Sequence, residues 1–353
     1  MKKQIAIVIP ARNEEKVLPG CLKQLIKVAD RKDIYLVDDA STDFTAKIAK
    51  KFTKNVLSLN LNSGKALSLN KAIKHFQLTD KYHFIFPLDA DTKVDKSFFK
   101  YIFEVFRTDK EVKVMAVVGH VKGSLTSAFS AYRVWEYETS QSITKKAQNY
   151  LNAIMVCSGC ATVYRSEIFK KTCFSNETLT EDMDLTFTIY RKKLGKIIYT
   201  SKAIVETQDP QNLKDFKKQL DRWYSGFWQC LVKHKIPFKK QTLDLEVGWA
   251  ALEGVFNGLF VSVFLILLPW LLVKWTVSVL IAVSVDLLLF TIPTVGFAAF
   301  KQRNWRIFQY IPFFYFLRIF SSLIFLKAYL LESFGLNSQV KWNKVQRFTL
   351  QGA

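Results

Sequence analysis

The chain has 353 residues, of which 50% are hydrophobic, and a formal net charge of +21. This length accommodates one mid-sized domain and a membrane region. The Lys and Arg residues are scattered or lie beside long apolar segments, which favours anionic lipid headgroups over nucleic acid as their partners.

The N-terminal part of the chain alternates short apolar runs with segments of helical spacing. Strands are predicted at residues 5–10, 33–37, 56–59 and 83–88, with helices around 14–28, 46–49 and 67–76. Ser41 and Thr42 are the predicted caps of the second helix. Because the strands are rich in β-branched residues and alternate with helices, we expect an α/β domain with a doubly wound, mostly parallel sheet that binds a nucleotide.

Further along, residues 112–118 are predicted to form another strand, and residues 153–164 form a glycine-containing turn with apolar flanks. Thr180 is the predicted cap of a helix over residues 184–191. A helix at 214–230 is amphipathic and rich in aromatic residues. That pattern is typical of a helix at a membrane interface.

Three apolar segments follow, at about 247–273, 275–300 and 307–334, and they predict two or three membrane helices. We therefore divide the chain into a domain at 1–235 that includes the interfacial helix, a membrane region at 247–334 and a basic tail at 335–353. The N-terminal apolar run is too short for a secretory signal. The domain is expected in the cytoplasm, in a multi-pass protein of the cell membrane.

The third apolar segment contains Pro312, Arg318 and Lys327. It either spans the membrane and leaves the tail outside, or lies partly in the interface and keeps the tail inside. Arg318 either snorkels or is buried in the helix bundle, or it lines a path for a polymer or a lipid headgroup. The sequence leaves both pairs of alternatives open.

The five cysteines are dispersed and predict no disulfide framework. Cys157 and Cys160 have the spacing of half a zinc site or of a redox pair. A four-ligand site needs a second pair of Cys or His, and the sequence offers none at a suitable spacing. The favoured interpretation is that both are small buried residues lining a tight turn.

Asp89 and Asp91 follow an apolar strand, where side chains emerge into the ligand crevice of an open sheet. Two carboxylates there suit a Mg²⁺ ion that completes its shell with diphosphate oxygens and water, and that stabilises charge on a leaving nucleotide diphosphate. The alternative is a pair of solvated acidic residues in a turn.

Asp38 and Asp39 end the second predicted strand, from which a carboxylate can bind ribose hydroxyls or a base N–H. An ordinary turn that leads to a helix cap is the alternative. Lys65, directly after Gly64, offers a cation for phosphate, although Gly-Lys alone is not a phosphate-binding loop.

Glu181 and Asp182 are the candidate bases. Inverting transfer of a sugar requires one carboxylate that takes the proton of the attacking acceptor hydroxyl, and a metal-bound diphosphate leaves without a second acid. The alternative role is stabilisation of the helix dipole by carboxylates in the first turn. Asp182 is able to fill both roles.

Gln219, Arg222 and Trp223 share one helical face, since residues three and four apart are neighbours. Arg binds diphosphates and Trp stacks under sugar rings. An interfacial helix with Arg at the lipid surface is the equally weighted alternative.

As an ordered set, these motifs resemble glycosyltransferase family 2, in particular its processive membrane branch of cellulose, chitin, hyaluronan and poly-N-acetylglucosamine synthases. The Gln-x-x-Arg-Trp motif distinguishes this branch from the dolichol-phosphate sugar synthases, which generally lack it. The matching segments cover most of the first 230 residues and are residues 7–14, 37–43, 62–66, 88–92, 157–160, 180–182 and 219–223.

The resemblance implies a GT-A-like fold and a role for each matching residue. Asp39 would contact uracil, Asp89 the nucleotide, and Asp91 the metal together with Asp89, while Asp182 would be the base. Further residues at the nucleotide-sugar site would be Pro10, Ala11, Asn13, Glu14, Asp38 and Lys65, and those at the diphosphate and acceptor end would be Ser158, Gly159, Gln219, Arg222 and Trp223.

The expected activity is inverting, Mg²⁺- or Mn²⁺-dependent transfer from a UDP-sugar, with UDP-N-acetylglucosamine or UDP-glucose first, to a growing polysaccharide or a glycolipid. Two alternatives stay open: non-processive transfer to a lipid carrier or diacylglycerol, and a non-catalytic, membrane-tethered subunit that binds nucleotide sugars. The expected partners are the donor, the acceptor, the lipid bilayer, and a membrane partner subunit or a second copy of the chain.

Overall fold

A computed structural model describes residues 2–239 and 241–335. The chain divides into two compact units, which are described separately. Of the described residues, the first unit contains those up to Lys122 together with Lys145–Gln208, and the second contains Gly123–Thr144 and those from Asp209 to Gly335. The structural division assigns the predicted interfacial helix to the second unit, whereas the functional division at residue 235 stays a prediction.

An eight-stranded mixed sheet forms the centre of the first unit, with strand order β3-β2-β1-β4-β7-β6-β8-β5. Four buried residues of the first strand, from Ala6 to Ile9, have no exposed surface, as expected for a strand covered on both faces. The strands are β1 Lys3–Ala11, β2 Ile34–Asp38, β3 Val56–Ser58, β4 Tyr82–Pro87, β5 Lys93–Val94, β6 Val114–Lys122, β7 Thr162–Arg165 and β8 Lys196–Glu206.

Strand pairing explains where the polar residues gather. β3, β2, β1 and β4 are parallel neighbours, and β6 pairs in parallel with β8. β7 is antiparallel to both β4 and β6, and β5 is antiparallel to β8. The mostly parallel sheet is thus confirmed, with two antiparallel strands included. Since β1, β2 and β4 run in the same direction, the residues that follow them meet at one edge.

The helices are numbered along the chain. They are α1 Leu18–Leu25, α2 Thr45–Lys50, α3 Lys65–His75, α4 Leu78–Lys81, α5 Phe98–Thr108, α6 Ala128–Thr139, α7 Lys145–Tyr150, α8 Ile168–Lys171, α9 Glu181–Arg191, α10 Leu213–His234, α11 Thr242–Lys274, α12 Thr276–Asp286, α13 Ile292–Gln302 and α14 Ile311–Ser333.

Apolar faces hold the helices of the first unit against the sheet. In α5, for example, Phe98, Ile102, Phe103 and Phe106 are buried at spacings of one helical turn. Burial of each such side chain contributes about 1.5–3 kcal/mol relative to exposure. The edge of the sheet that carries the polar loops is therefore fixed by packing on both faces.

Two local predictions are wrong. Helix α1 covers only part of 14–28, because Pro19 lies in its first turn, where a missing N–H costs nothing, and the loop before it belongs to the polar edge. Ser41 and Thr42 do not cap α2, which begins at Thr45 without a side-chain cap. Both residues instead bond to Asn13, across the polar edge of the sheet.

The second unit is helical and contains α6 and α10 to α14. A π-helical turn at Leu287–Thr291 joins α12 to α13, and a short 3-10 turn at Trp305–Tyr310 precedes α14. Three stretches are long and apolar enough to cross a membrane, namely Thr242–Lys274, Thr276–Gln302 and Trp305–Ser333. They match the three predicted apolar segments, with additional residues at the beginning of the first.

Helix α10 has a different character from these apolar stretches. Its 22 residues include seven charged side chains, which are Lys214, Asp215, Lys217, Lys218, Asp221, Arg222 and Lys233. At about 2.5–3.5 kcal/mol for each charged residue at the centre of a bilayer, such a helix is excluded from the hydrocarbon core. The amphipathic, aromatic helix predicted at 214–230 therefore forms, slightly longer than expected.

An ion pair joins α12 to α14. The two Nη atoms of Arg318 donate to the two carboxylate oxygens of Asp286, at 2.8 and 3.1 Å. The hydroxyls of Tyr315 and Thr291 also donate to Asp286, at 2.7 and 2.9 Å. Arg318 thus has a partner within the helices, with 41% of its side chain exposed.

Candidate active site

The loops after β1 and β2 are joined at the polar edge. Asn13 accepts a hydrogen bond from the backbone N–H of Thr42 at 2.8 Å, and its own N–H donates to the Ser41 hydroxyl at 3.0 Å. The Glu14 N–H donates to the Thr45 hydroxyl at 2.8 Å. Pro10 and Ala11 end β1 beside Val37 and Asp38 of β2. The residues predicted to bind the nucleotide in these two loops therefore form one continuous layer of hydrogen-bonded backbone and side chains along the sheet edge.

Asp39 connects this layer to the start of α3. One carboxylate oxygen accepts the Ser63 N–H at 2.7 Å, and the other accepts the Gly64 N–H at 2.8 Å. Asp38, one residue earlier, accepts the Ser41 N–H at 3.2 Å. Asp39 is buried and fixes the turn that presents Lys65, the first residue of α3. Its contact with uracil stays a prediction.

Lys65 joins two of the acidic motifs. Its Nζ lies 2.7 Å from Asp89 Oδ1 and 3.0 Å from Glu181 Oε1. Burial opposes the positive charge, but Asp89, Glu181 and Asp182 outweigh it and raise the pKa of Lys65 above its usual value. The lysine is therefore charged, and it holds residues from α3, the loop after β4 and the start of α9 in one network.

Asp182 is held by the turn that contains Ser158 and Gly159. The Gly159 N–H donates to Asp182 Oδ2 at 3.1 Å, and the Met183 N–H donates to Oδ1 at 2.9 Å. A Cβ on Gly159 would lie 3.1 Å from the Lys65 Nζ and 3.6 Å from Asp182 Oδ2. Glycine thus lets the backbone approach both charged groups.

The same turn is attached to α9 at a second point. The Cys157 N–H donates to the Thr186 hydroxyl at 2.9 Å, and this hydroxyl donates to the Asp182 carbonyl at 2.6 Å. Thr180 occupies the predicted N-cap position of α9, but its side chain makes no capping hydrogen bond. Glu181 and Asp182 do occupy the first turn, as expected.

The cysteine pair lines this turn as thiols. Burial raises the pKa of Cys157 to about 12, and burial also raises the pKa of Cys160. Neutral thiols are poor metal ligands and poor nucleophiles. This agrees with the interpretation of the pair as small residues of a tight turn.

Asp89 and Asp91 are the side chains suited to a divalent cation. Asp91 is buried, with 8% of its surface exposed. Within residues 2–239 and 241–335, no group of three or more His, Cys, Asp or Glu side chains forms a complete metal site. Two carboxylates fit Mg²⁺ or Mn²⁺, which accept oxygen ligands and complete their shell with phosphate oxygens and water.

Gln219, Arg222 and Trp223 lie on α10, in the second unit. The guanidinium of Arg133, on α6, lies between two rings, 4.7 Å from Trp223 and 4.5 Å from Phe216. Arg133 is 2% exposed and pairs with Glu136 at 2.5 Å. The Trp of the motif is therefore held in place by a buried cation.

Sequence reasoning missed two residues. Arg133 belongs to an ordinary amphipathic helix, and no spacing signals its contact with Trp223. Lys145 begins α7, and its Nζ donates to the Ser158 hydroxyl at 3.1 Å. It also interacts electrostatically with Asp182. Neither residue lies in a motif, and each reaches its own partner through the tertiary fold of its unit.

Comparison with known proteins identifies the family of the segment 6–173. Residues 6–173 match the profile described as glycosyl transferase family 2. This segment is a glycosyltransferase family 2 domain. The match confirms the predicted family and covers the loops of Asp39, Lys65, Asp89 and Gly159.

Two curated relatives of the chain are named poly-beta-1,6-N-acetyl-D-glucosamine synthase. The protein from Staphylococcus epidermidis strain ATCC 35984 is 27% identical over 251 residues, which cover 69% of this chain and 59% of that protein. The protein from Staphylococcus aureus strain COL is 26% identical over 236 residues, covering 65% and 56%. The chain thus spans somewhat more than half the length of these relatives.

A solved structure with a similar fold is a mannosyltransferase from Pyrobaculum calidifontis, in complex with GDP-Man and Mn²⁺. The TM-score is 0.60 at 14% sequence identity, and the match covers 85% of this chain and 87% of that one. This similarity confirms the GT-A type of fold.

Proposed function

We propose that the protein is an inverting glycosyltransferase that moves a sugar from a UDP-sugar to a growing polysaccharide. The observation that carries this proposal is the position of Asp182. Its carboxylate is fixed by the Gly159 and Met183 N–H groups, beside a lysine that is bonded to Asp89. The candidate base Asp182 and the candidate nucleotide-binding residue Asp89 thus lie at one site, where both interact with the Lys65 cation.

Each residue has a defined task in this mechanism. Asp182 accepts the proton of the acceptor hydroxyl as its oxygen attacks the anomeric carbon from the face opposite the diphosphate. Lys65 holds Asp89 and Glu181 together through its two ion pairs, and its positive charge attracts phosphate oxygens. Asp89 and Asp91 would hold a divalent cation. When bound, that cation stabilises the negative charge of the leaving UDP.

UDP-N-acetylglucosamine is the proposed donor. Its support is the name shared by the two staphylococcal relatives, which are synthases of a polymer of N-acetylglucosamine. The proposed acceptor is the end of that polymer, bound near Gln219, Arg222 and Trp223. Mg²⁺ or Mn²⁺ is the proposed cofactor, and the Mn²⁺ complex of the structurally similar mannosyltransferase supports it.

We also propose that the protein lies in the cell membrane, with the catalytic domain in the cytoplasm. The support is the set of long apolar helices and the basic residues beside them, which are Lys233, Lys235 and Lys239 before α11, Lys301 in the last turn of α13, and Arg303 and Arg306 after it. Short loops with this enrichment face the cytoplasm.

The deciding experiment measures UDP release by the detergent-purified protein with a panel of UDP-sugars, in Mg²⁺ or Mn²⁺, and sizes the products on a gel. A ladder from UDP-N-acetylglucosamine supports the polymerase. A single lipid-extractable product would assign the chain to glycolipid synthesis. Failure of every donor to release UDP would favour a non-catalytic binding subunit.

Asp182→Asn tests the base in the same assay. General-base catalysis contributes about 10²–10⁴-fold, so we expect UDP release to fall by that factor while UDP binding persists. Asp80→Asn is the matched control, because Asp80 is an exposed residue of the same unit with an ion pair to Lys170. Turnover in Asp182→Asn equal to that of the control would refute the assignment.

A further inference from the structure

Helix α7, which begins with Lys145, is attached to strand β8 through Tyr199. The Lys145 Nζ lies 5.9 Å from the centre of the Tyr199 ring, within the range of a cation–π contact. The Tyr199 hydroxyl shares a hydrogen bond of 2.8 Å with His120 Nδ1. One turn after the lysine, the Asn149 side chain accepts the Tyr199 N–H at 2.7 Å. The Lys145 side chain therefore extends from a helix whose position against the sheet is fixed.

The ammonium group of Lys145 ends at the turn that precedes β7. Its Nζ donates to the Ser158 hydroxyl at 3.1 Å. An ammonium group has three N–H donors. Ser158 provides its one hydrogen-bond acceptor among residues 2–239 and 241–335. Two donors are therefore left for oxygen atoms of a bound molecule.

The surroundings of this ammonium favour a bound ligand. The Lys145 side chain is part-buried, and burial lowers the pKa of Lys145, because the charged form loses water. Attraction between a cation and a polar oxygen atom is stronger where water is scarce. Lys145 therefore gains more from a bound oxygen atom than the exposed Lys146 beside it.

The two lysines near the candidate base reach it from different sides of the turn. Lys65 is bonded to Asp89, and its Nζ would lie 3.1 Å from a Cβ on Gly159. Lys145 instead bonds to Ser158, the preceding residue. Both lysines interact electrostatically with the base. Lys65 thus lies on the side of the candidate nucleotide-binding carboxylate, and Lys145 lies on the other side.

The stereochemistry of inverting transfer assigns these two sides. The acceptor hydroxyl attacks the anomeric carbon from the face opposite the diphosphate, and the base takes its proton. Asp89 and the lysine bonded to it belong to the diphosphate side. Lys145 therefore belongs to the side of the acceptor sugar, near the hydroxyl whose proton Asp182 takes.

A cation at this position discriminates between acceptors by charge. The proposed acceptor is the end of a polymer of N-acetylglucosamine, the polymer in the name of the staphylococcal relatives. Its acetamido group is uncharged and has a carbonyl oxygen, whereas the same sugar without the acetyl group has an ammonium. A lysine ammonium attracts the carbonyl oxygen and repels the second ammonium. Lys145 therefore favours an acetylated chain end.

We propose that Lys145 and Ser158 form a subsite for the terminal sugar of the acceptor, in which the Lys145 ammonium donates to the acetamido carbonyl oxygen. The subsite is built from α7 and from the turn whose Gly159 N–H holds Asp182. Extension then proceeds from acetylated chain ends and not from ends with a free amino group. This inference rests on the proposed function, because it takes a polymer of N-acetylglucosamine as the acceptor.

The test measures the binding of two short oligomers to the detergent-purified full chain with saturating UDP and Mn²⁺. One oligomer is β-1,6-linked N-acetylglucosamine, and the other is the same oligomer without its acetyl groups, at a pH where its amino groups are charged. Isothermal titration gives both dissociation constants. We expect the wild-type protein to bind the acetylated oligomer more tightly by about tenfold or more, the effect of one hydrogen bond to a charged group.

Lys145→Met should remove this preference. Affinity for the acetylated oligomer should fall by about tenfold, and affinity for the deacetylated oligomer should rise, because the repulsion is lost. UDP binding should stay unchanged. Lys146→Met, which removes an exposed charge one residue away, and Lys145→Arg, which keeps the charge and the donors, should both retain the preference.

Three results would overturn the proposal. The first is an unchanged preference for the acetylated oligomer in Lys145→Met. The second is weaker UDP binding with unchanged oligomer binding, which would place Lys145 at the diphosphate. The third is a wild-type protein that binds neither oligomer.

Ser158→Ala provides the decision if Lys145→Met loses the binding of UDP and of both oligomers together. This variant removes the hydroxyl that orients the ammonium. The preference for the acetylated oligomer should then shrink several-fold while UDP binding persists. An unchanged preference in Ser158→Ala would refute the subsite.

UDP release separates this inference from the proposed function. If the wild-type protein releases UDP from no UDP-sugar, the proposed transferase activity fails, whereas oligomer binding still measures the subsite. If the wild-type protein extends the acetylated and the deacetylated oligomer equally well, the transferase activity stands and the subsite fails.

Discussion

Two lysines flank the turn that holds Asp182, and they differ in what balances their charge. Lys65 contacts Asp89 and Glu181. Lys145 donates to the neutral Ser158 hydroxyl, and within the described residues no carboxylate lies in ion-pair contact with it. Burial lowers the pKa of Lys145. Lys145 is therefore a cation near Asp182 whose charge is not neutralised by a carboxylate in direct contact with it.

Lys145→Met should move the acidic limb of the pH–rate profile of kcat/KM to higher pH by about one unit, because an opposite charge favours an ionised carboxylate. The shift is towards higher pH because the variant loses a positive charge that stabilises the ionised carboxylate of Asp182. Among the ionisable groups that also interact with Asp182, Lys65 is charged, and burial raises the pKa of the Cys157 and Cys160 thiols and of the Tyr164 phenol, so these three stay neutral.

Lys146→Met is the control for this prediction. It removes the same charge one residue away, from an exposed side chain, where solvent screens the field. Lys145→Arg should restore the wild-type profile. Identical profiles for the two Met variants would show that Lys145 has no electrostatic role at the base.

Asp91→Asn tests the cation site. Loss of one charged oxygen ligand should weaken Mn²⁺-dependent UDP binding by about tenfold or more, because hydrogen bonds and contacts to charged groups contribute about 1.5–3 kcal/mol. Calorimetric titration of UDP with and without Mn²⁺ measures the effect, with Asp80→Asn as the control. An unchanged Mn²⁺ dependence would exclude Asp91 as a ligand.

At the level of helices, close contact between α11 and α14 depends on two glycines four residues apart. A Cβ on Gly258 would lie 2.7 Å from the Leu326 Cβ and 3.0 Å from the Ser322 carbonyl oxygen. Beside them, Asn257 donates to the Ser322 hydroxyl at 3.0 Å. Small residues at this spacing let apolar helices approach closely.

Gly258→Ala should therefore lower the thermal unfolding temperature in detergent, by a destabilisation of about 1–3 kcal/mol from overpacking. Gly296→Ala is the matched control in another apolar helix, because its added Cβ meets Phe308 at an ordinary 3.7 Å. There the better helix propensity of Ala should raise stability slightly. Equal shifts in the two variants would refute the close crossing.

Elements with strong periodicity were predictable, and those set by tertiary contacts were not. The apolar segments and the strands before Asp38 and Asp89 follow from composition and burial on both faces. The caps proposed for Ser41 and Thr42 were wrong because these residues bond to Asn13 across the sheet edge instead. Local sequence does not reveal such partners, which lie about 28 residues away for Ser41 and Asn13.

For the whole molecule, the order of the acidic motifs predicted which loops gather at the sheet edge, since parallel strands place their carboxyl ends together. The network that joins Asp39, Lys65, Asp89 and Glu181 follows that prediction. Lys145 and Arg133 were not predictable, because helices without a motif bring them to their partners.

The ion pair between Asp286 and Arg318 has a consequence for biosynthesis. The two residues are 32 positions apart in the chain, so Asp286 leaves the ribosome well before its partner. During that interval the apolar hairpin carries a carboxylate that lacks its guanidinium, which disfavours stable insertion. We therefore expect retention of the newly made hairpin in the membrane to depend on synthesis of α14 as far as Arg318.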